Sequence, residues 1–399
     1  MTSAIDTDRV VPGATEHAHG PGSPVPVQSR AERFASAVHA DFPEVTGREL
    51  EWRLTPVASV RDLLDDALDG SALPVEVTDA PGVTSEWIAR DDPRVGSAGL
   101  AEERAAANAW SSFEKAHAVT LTSETPVEVT IRRASPDAAP RAAHTVITAR
   151  PNSRGLVIID NSGPARLSEN VEIVVESGAQ LTGADITVVS LQEWDDDAVH
   201  LSSQFARVDR DASLKHVVVS LGGSLVRVNP STRLAGEGAA GELLGLYFAD
   251  AGQHLEQQVF VHHIAPRTVS RVNYKGALNG AKARTVWVGD VLIGRDATGT
   301  DSYEQNRNLV LSDGARADSI PNLEIETGDI AGAGHASATG RFDDEQLFYL
   351  RSRGVPEPEA RRLVVHGFLV EVVQKIGNAA LQERLLAAIE AELAQIEVI

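Results

Sequence analysis

Between about residue 118 and residue 340 the chain is written in short runs of β-branched and aliphatic residues separated by turn formers. The runs are "VEVTIRR", "HTVITAR", "LVIID", "VEIVVE", "ITVVSLQEW", "LKHVVVSL", "QQVFVHHI", "TVWVGDVLIG", "RNLVLS" and "NLEIET". No long helical period interrupts them, so this stretch is predicted to be mainly β. The connecting segments share a texture: "ESGAQL", "DRDASL", "GEGAAGEL" and "SDGARA" place Gly or Asp just before Ala, then a small or polar residue. Gly and Asp supply tight corners, and a small alanine lets neighbouring corners stack. Stackable corners between many short strands fit either a sandwich or a parallel β-helix. Continuous runs such as "VVVS" and "LVIID" lean towards the stacked solenoid, whose ends would need covering.

The flanks read differently. Residues 1–28 are rich in Gly, Pro, Ser and Thr and read as a disordered tail containing the pair His17 and His19. Residues 29–117 are mixed and largely helical. "RAERFASAVHADF" has apolar spacing near 3.6, "SVRDLLDDALDG" runs from a Ser59 cap to a Gly70 stop, and "LAEERAAANAWSSFEKAHA" is built of strong helix formers. Residues 341–399 are predicted to be helical in three pieces. Asp343 or Asp344 would cap "DEQLFYLRSR", Pro356 and Pro358 open "EPEARRLVVHGFLVEVVQKI", and Asn378 caps "AALQERLLAAIEAELAQI". In the middle helix Leu363, Val364, Phe368, Val372 and Ile376 approximate one apolar stripe, the pattern of a core-facing helix.

Composition narrows the function. The 399 residues carry 36 Lys+Arg against 57 Asp+Glu, a net charge of −21 that would repel a phosphate backbone and argues against nucleic-acid binding. No apolar run approaches the roughly 20 residues of a membrane span, and the N-terminus lacks a secretory apolar region, so a cytoplasmic location is expected. Cysteine is absent altogether. The chain therefore has no thiol nucleophile, no disulfide and no thiolate of its own for an iron–sulfur cluster.

Candidate chemistry is sparse. "GALNGAK" (276–282) superficially resembles a phosphate loop, but its glycine spacing is short and no Ser or Thr follows Lys282. "GGSL" (222–225) lacks the second flank of a nucleophile elbow. "EWDDDAVH" (193–200) gathers three aspartates and His200 and reads more readily as an exposed acidic turn than as a cation site. His262 and His263 are adjacent on a strand and face opposite ways, so with His254 they read as structural. That leaves His335, alone among Gly, Ala and Ser in "AGAGHASATG", where a Gly/Ala-rich turn is expected. Imidazole is a borderline ligand for iron and can replace cysteine on an iron–sulfur centre.

Three segments carry a resemblance: "LAGEGAAGELLGLYFADAGQHLEQQ" (234–258), "YKGAL" (274–278) and "YEQNRNLVLSDGARADSIPNLEIETGDIAGAGHASATGRFDDEQLFYLRSRG" (303–354). Together they resemble the SufD family of the SUF iron–sulfur cluster assembly complex, strongly over about 120 residues and weakly upstream. The resemblance implies a right-handed parallel β-helix flanked by N-terminal and C-terminal helical regions. It implies a non-catalytic scaffold that pairs with the paralogue SufB and binds the SufC ATPase through residues 341 to about 376. Through the complex it also implies contact with a cysteine desulfurase and a sulfur carrier. No intrinsic cofactor is implied, only transient iron or an iron–sulfur cluster shared with SufB, with His335 as the metal-ligand candidate at that interface. Many SufD relatives have Cys two positions before this histidine; here the residue is Ala333, which puts any role of that thiol in doubt.

Two other readings stay open: a β-helix enzyme acting on polysaccharide, and a purely structural solenoid that differs only in what His335 does. The first needs clustered carboxylates along one face, and an aromatic content of 5% offers little for sugar stacking. Lacking a phosphate loop, the isolated chain should show no ATPase activity above background. ATP turnover that disappears in Lys282→Ala would overturn that expectation.

Overall fold

The structure, a computed structural model, describes residues 33–135, 137–178, 183–341 and 344–394; the predicted tail, His17 and His19 lie outside them. From the third strand on, odd-numbered and even-numbered strands alternate along the chain and stack into two separate sheets, each brought to nine strands by one of the two short opening strands. The even sheet holds β4 (Val127–Ala134), β6 (Arg154–Gly163), β8 (Asp185–Trp194), β10 (Ser213–Ser220), β12 (Ala240–Ala249), β14 (Val269–Leu278), β16 (Thr300–Val310) and β18 (Ile330–Arg341). The odd sheet holds β3 (Lys115–Leu121), β5 (Pro140–Ala149), β7 (Arg166–Val175), β9 (Val199–Val208), β11 (Leu225–Leu234), β13 (His254–His263), β15 (Arg284–Ile293) and β17 (Arg316–Ile325). All these neighbours pair in parallel, so the chain winds as a β-solenoid of about eight turns.

The corners stack through alanines: Ala212 and Ala239 belong to the predicted corners, Ala184 lies just after "ESGAQL", and Ala179 of that corner lies outside the described residues. Ser213 N donates to Ala184 O, Ala240 N to Ala212 O and Val269 N to Ala239 O, and all three alanines are buried. Inside, Val157, Val188, Leu243 and Val272 stack in one largely apolar column, interrupted by His216 between Val188 and Leu243. Tyr247 and Tyr274 cross this interior reciprocally. A Cβ on Gly276 would stand 1.8 Å from the Tyr247 ring, and one on Gly245 would stand 1.9 Å from the Tyr274 ring. Gly276 therefore serves ring packing, which removes the first glycine of "GALNGAK" from any phosphate role.

The ends and sides are finished differently. At the start, β1 (Val75–Val77) pairs antiparallel with β4 and β2 (Val83–Ala89) pairs antiparallel with β3, closing the first coil. The sides are covered by helices. α1 (Arg61–Asp65) and α2 (Arg104–Ser112) lie on the odd sheet, with Ala106, Trp110 and Phe113 against Val146, Val174 and Phe205. α4 (Glu357–Gln374) and α5 (Ala379–Ala394) lie on the even sheet, with Val365, Leu369, Val372 and Val373 against Val217, Val219, Leu244, Leu246 and Phe248. Each such aliphatic burial is worth about 1.5–3 kcal/mol. At the far end, β17 and β18 are the terminal strands of their sheets, and no further strand pairs with them among the described residues. No described helix is long and apolar enough to cross a membrane.

Several sequence expectations need correction. Within "RAERFASAVHADF" the described part holds only a 3-10 turn at His39–Asp41. Arg33 there is committed to Glu102 and Asp290, so tertiary contacts override the helical period. α1 starts after a 3-10 turn at Val57–Val60 and ends by Asp66, with no side-chain cap from Ser59 and no stop at Gly70. α2 starts at Glu103, whose carboxylate accepts from Ala105 N and Ala106 N, and stops at Phe113. The following "EKAHA" is strand β3, recruited by β2 and β5 despite its helix formers. The apolar stripe of α4 is rotated: Val365, Leu369, Val372 and Ile376 are buried, whereas Leu363 is exposed. Asn378 does cap α5, accepting from Leu381 N at 2.8 Å, while the cap expected from Asp343 or Asp344 lies outside what is described. Helices α4 and α5 also cover a side of the solenoid, not its end.

Buried polar groups thread the interior. Glu169 is held below the usual carboxylate range: burial opposes this, but Arg133 and the hydrogen bond from His200 outweigh it. His216, buried beneath Gln204 Oε1 at 2.7 Å, is pushed down to about 4 by burial. It is neutral in the fold, so the unfolded chain binds the extra proton between pH 6.5 and 4. This contribution to stability is complete above pH 6.5 and is lost as the pH falls through 4. In urea melts, the fall in unfolding free energy over that window should be shallower in His216→Gln than in the wild type.

Candidate functional site

Strand β18 places His335 at the open end of the solenoid. The Gly/Ala/Ser stretch expected to be a turn is an extended strand, because its small residues still offer a full row of backbone groups to β16. His335 sits directly opposite Glu304 in that register. The same column runs Val188, His216, Leu243, Val272, Glu304, His335, so its last two coils both carry ionisable groups, with one earlier histidine, His216, between Val188 and Leu243.

The His335 side chain is 44% exposed, and its Nδ1 stands 3.7 Å from Glu304 Oε1. The Glu304 side chain is 1% exposed. Burial first, and then the nearby Asp290 carboxylate, push the Glu304 carboxyl up to about 8. The Asn322 backbone opposes this shift weakly, and no side chain hydrogen-bonds either Glu304 oxygen among the described residues. Its seat exists because Gly289 leaves a gap: a Cβ there would be 2.4 Å from Glu304 Oε2. Ala333 lies two residues before His335 on the same inward face and packs on the core.

The polar residues beside this pair are satisfied. Asn306 Nδ2 donates to Tyr247 Oη at 2.8 Å, and Tyr247 Oη donates to Asn308 Oδ1 at 2.7 Å. Ser319 Oγ donates to Asn306 Oδ1 at 2.7 Å, and Ser337 Oγ donates to Ser319 Oγ at 2.8 Å. Ser302 and Ser270 hydroxyls meet at 2.8 Å. These bonds tie β14, β16, β17 and β18 into one rigid rim. The Glu304 carboxyl beside a half-exposed imidazole is an exception, as are the nearby Tyr274 hydroxyl and Trp287 indole N–H, which are buried without a hydrogen-bond partner among the described residues.

The other histidines have structural partners. His200 is fully buried, donating from Nε2 to Glu169 at 2.9 Å while Nδ1 accepts from Trp194 Nε1 at 3.1 Å; Asp195, Asp196 and Asp197 are exposed. His254 Nε2 lies 2.9 Å from Glu256 Oε2, and His263 is held between Thr268 and Ser270. His262 is half-buried on the opposite face from His263. Ser224 of "GGSL" donates to the Ala198 carbonyl. Among the described residues no three His, Asp or Glu side chains converge as a metal-ligand group.

Glu304 escaped the sequence reading. Its strand, "TDSYEQNRNLV", is polar on both faces, so the two-residue alternation carries no hydrophobic contrast there. Only the every-second-residue series Ser302, Glu304, Asn306, Asn308, projected onto a known strand, would have exposed it. A cavity of about 320 Å³ was also missed. It lies between the N-terminal segment and the odd sheet, where Arg227 lies 3.7 Å above the Trp52 ring and 3.2 Å from Glu256.

Comparison with known proteins agrees with this architecture. Residues 132–368 match the family described as SUF system FeS cluster assembly, SufBD core domain. A Mycobacterium tuberculosis protein named as an iron–sulfur cluster assembly SufBD family protein is 49% identical over 377 residues, covering 92% of this chain and 93% of the relative. A Mycobacterium leprae protein with the same family name is 47% identical over 384 residues, covering 93% and 96%. A second Mycobacterium leprae protein of that name is 30% identical over 206 residues, covering 52% of this chain and 23% of its own length.

Proposed function

This chain belongs to the SufBD family of the SUF iron–sulfur cluster assembly system, and we propose that within it the chain is a non-catalytic scaffold subunit of the SufD type. Its partner is a cysteine-bearing paralogue of the SufB type, and the two build a nascent cluster where their solenoid ends meet. The observation that carries this reading is the unpaired edge of β17 and β18 with His335 exposed in it. An unpaired strand edge is a template for another strand, and among the described residues the opposite end is finished by the antiparallel strands β1 and β2 while helices cover the two sheet faces. Mycobacterium leprae has two distinct members of the family, which supports pairing between unlike chains. Iron and sulfide are the cargo. His335 supplies a borderline nitrogen donor, and this chain has no thiolate, so the sulfur donors come from the partner. The cysteine desulfurase and sulfur carrier act through the same complex.

His335→Ala tests the site. The side chain is half exposed and its loss removes little packing, so the unfolding free energy should change by only about 0.5 kcal/mol or less. Pairing should persist while cluster formation in the reconstituted complex falls sharply. A purely structural histidine gives the opposite order: impaired pairing or a lower melting temperature first. Normal cluster yield in the alanine variant would end the ligand assignment.

The ATPase subunit of the SufC type docks on the C-terminal helices. In α3 (Asp344–Ser352) Phe348 is 74% and Tyr349 56% exposed, and Leu363 of α4 is 47% exposed, an unusual apolar display beside a well-buried opposite face. Arg361 and Arg362 are engaged with Glu357 and Glu390, so charge reversal there would disturb the helices themselves. Phe348→Asp is the cleaner change. It should weaken ATPase capture at least tenfold in a pull-down titration while the circular dichroism melt stays within a degree or two. Undiminished capture would place the interface elsewhere.

A further inference from the structure

We propose that Glu304 and His335 together form a two-ligand site for one ferrous ion on this chain. The inference deepens the reading of His335 above and rests on it.

Three observations converge. The first is the Glu304 carboxyl. Glu304 is buried, and no side chain hydrogen-bonds either oxygen among the described residues, the Asn322 backbone being the only group that favours its charged form by hydrogen bonding, although Ser302, Asn306 and Asn308 on the same strand face are all partnered by side chains. A buried carboxyl with no side-chain donor is unusual, and a bound cation is a standard reason for keeping one. The second is distance. Two donor atoms sharing a first-row divalent ion, with bonds of about 2.0–2.2 Å, stand roughly 3.0–3.4 Å apart. His335 Nδ1 and Glu304 Oε1 are 3.7 Å apart, so a few tenths of an ångström of movement by a half-exposed imidazole would close the site. The third is room. Gly334 and Ala336 flank the imidazole with minimal side chains, and Gly289 leaves the space in which the carboxylate lies.

The donor set fits a first-row divalent ion and offers nothing soft for cuprous ion; nitrogen and oxygen donors do not themselves select iron over zinc or nickel, and ferrous iron is the ion that the proposed assembly role supplies. Two protein ligands also leave most of the coordination sphere to water, which donors from a docking partner can replace without dismantling the site. Glu304 is thus assigned a role as a ligand, distinct from merely orienting the ring. The two roles separate chemically, because a glutamine amide oxygen still accepts a hydrogen bond from Nδ1–H but is a much weaker ligand than a carboxylate.

The test is anaerobic equilibrium dialysis of the purified full chain against Fe²⁺, comparing wild type, Glu304→Gln and His335→Ala, with thermal melts in parallel. Wild type should bind close to one Fe²⁺ per chain, and each substitution should weaken that binding by about tenfold or more. The Glu304→Gln melt should be unchanged or higher, since a buried carboxyl with no side-chain donor has been removed; this separates ligand loss from misfolding. If Glu304→Gln binds like wild type while His335→Ala does not, the two-ligand site is overturned and the His335 reading stands. If neither substitution alters binding, or wild type binds no Fe²⁺, the site is overturned, and cluster yield in the His335→Ala complex still decides the His335 reading separately.

Discussion

A parallel β-solenoid satisfies the backbone of each coil with the coil before it, so its last coil always presents a row of unpaired N–H and C=O groups. That requirement organises the whole chain. At the first coil it is met by β1 and β2, two short strands that reverse direction and pair antiparallel. At the last coil it is left unmet by this chain's described residues, and the C-terminal segment, which could have folded over the end, is sent to the side instead. The energetic reason is visible in α4 and α5. Their buried stripe of Val365, Leu369, Val372, Ile376, Leu381 and Leu385 matches an apolar outer face that the even sheet already displays. With both flanks occupied by helices, the terminal edge is the surface on which a like-built chain can continue the ladder.

The interior changes to suit that end. Over most of its length a solenoid lumen is stabilised by stacking like on like, and Val157, Val188, Leu243 and Val272 follow the rule. In the last coils the inward positions become Ser302, Glu304, Asn306 and Asn308, then His335, Ser337 and Thr339. Apolar stacking there would leave a hydrophobic mouth open to water. A hydrogen-bonded rim avoids this and is rigid, because Asn306 alone links Tyr247, Asn308 and Ser319. Part of the cost falls at Glu304, which follows Val272 directly in the ladder and has no side-chain hydrogen-bond partner among the described residues.

Much of this was legible in the sequence, and the failures have physical causes. The apolar strands announced themselves through β-branched runs, and the corner alanines stack as their size implies. The repeat was hidden because the coils differ in length: 27 residues separate Ser213 from its partner Ala240, but 32 separate Val269 from Asp301. Corners absorb the difference, so no fixed period survives in the letters. β18 was missed for another reason. "IAGAGHASATG" has the composition of a loop, yet a strand edge requires only backbone groups and residues small enough to lie flat. Glu304 was missed because its strand is polar on both faces. In each case local propensity was overridden by a neighbour far away in sequence, and only the ladder reveals the neighbour.

The missing cysteine takes on a more definite meaning in this frame. A chain that supplied thiolates would bind a cluster by itself and compete with its partner for it. A chain whose end carries only nitrogen and oxygen donors holds iron more weakly and holds sulfide not at all. On the proposed reading the two halves of the site are therefore chemically unequal by construction. This chain contributes the iron-binding imidazole and carboxylate at an unpaired edge, and the partner contributes sulfur across it. The cluster then forms only when the edges pair, because neither half has the full donor set alone. On that proposal, pairing, cargo and assembly depend on the same strand, with His335 as the point where they meet.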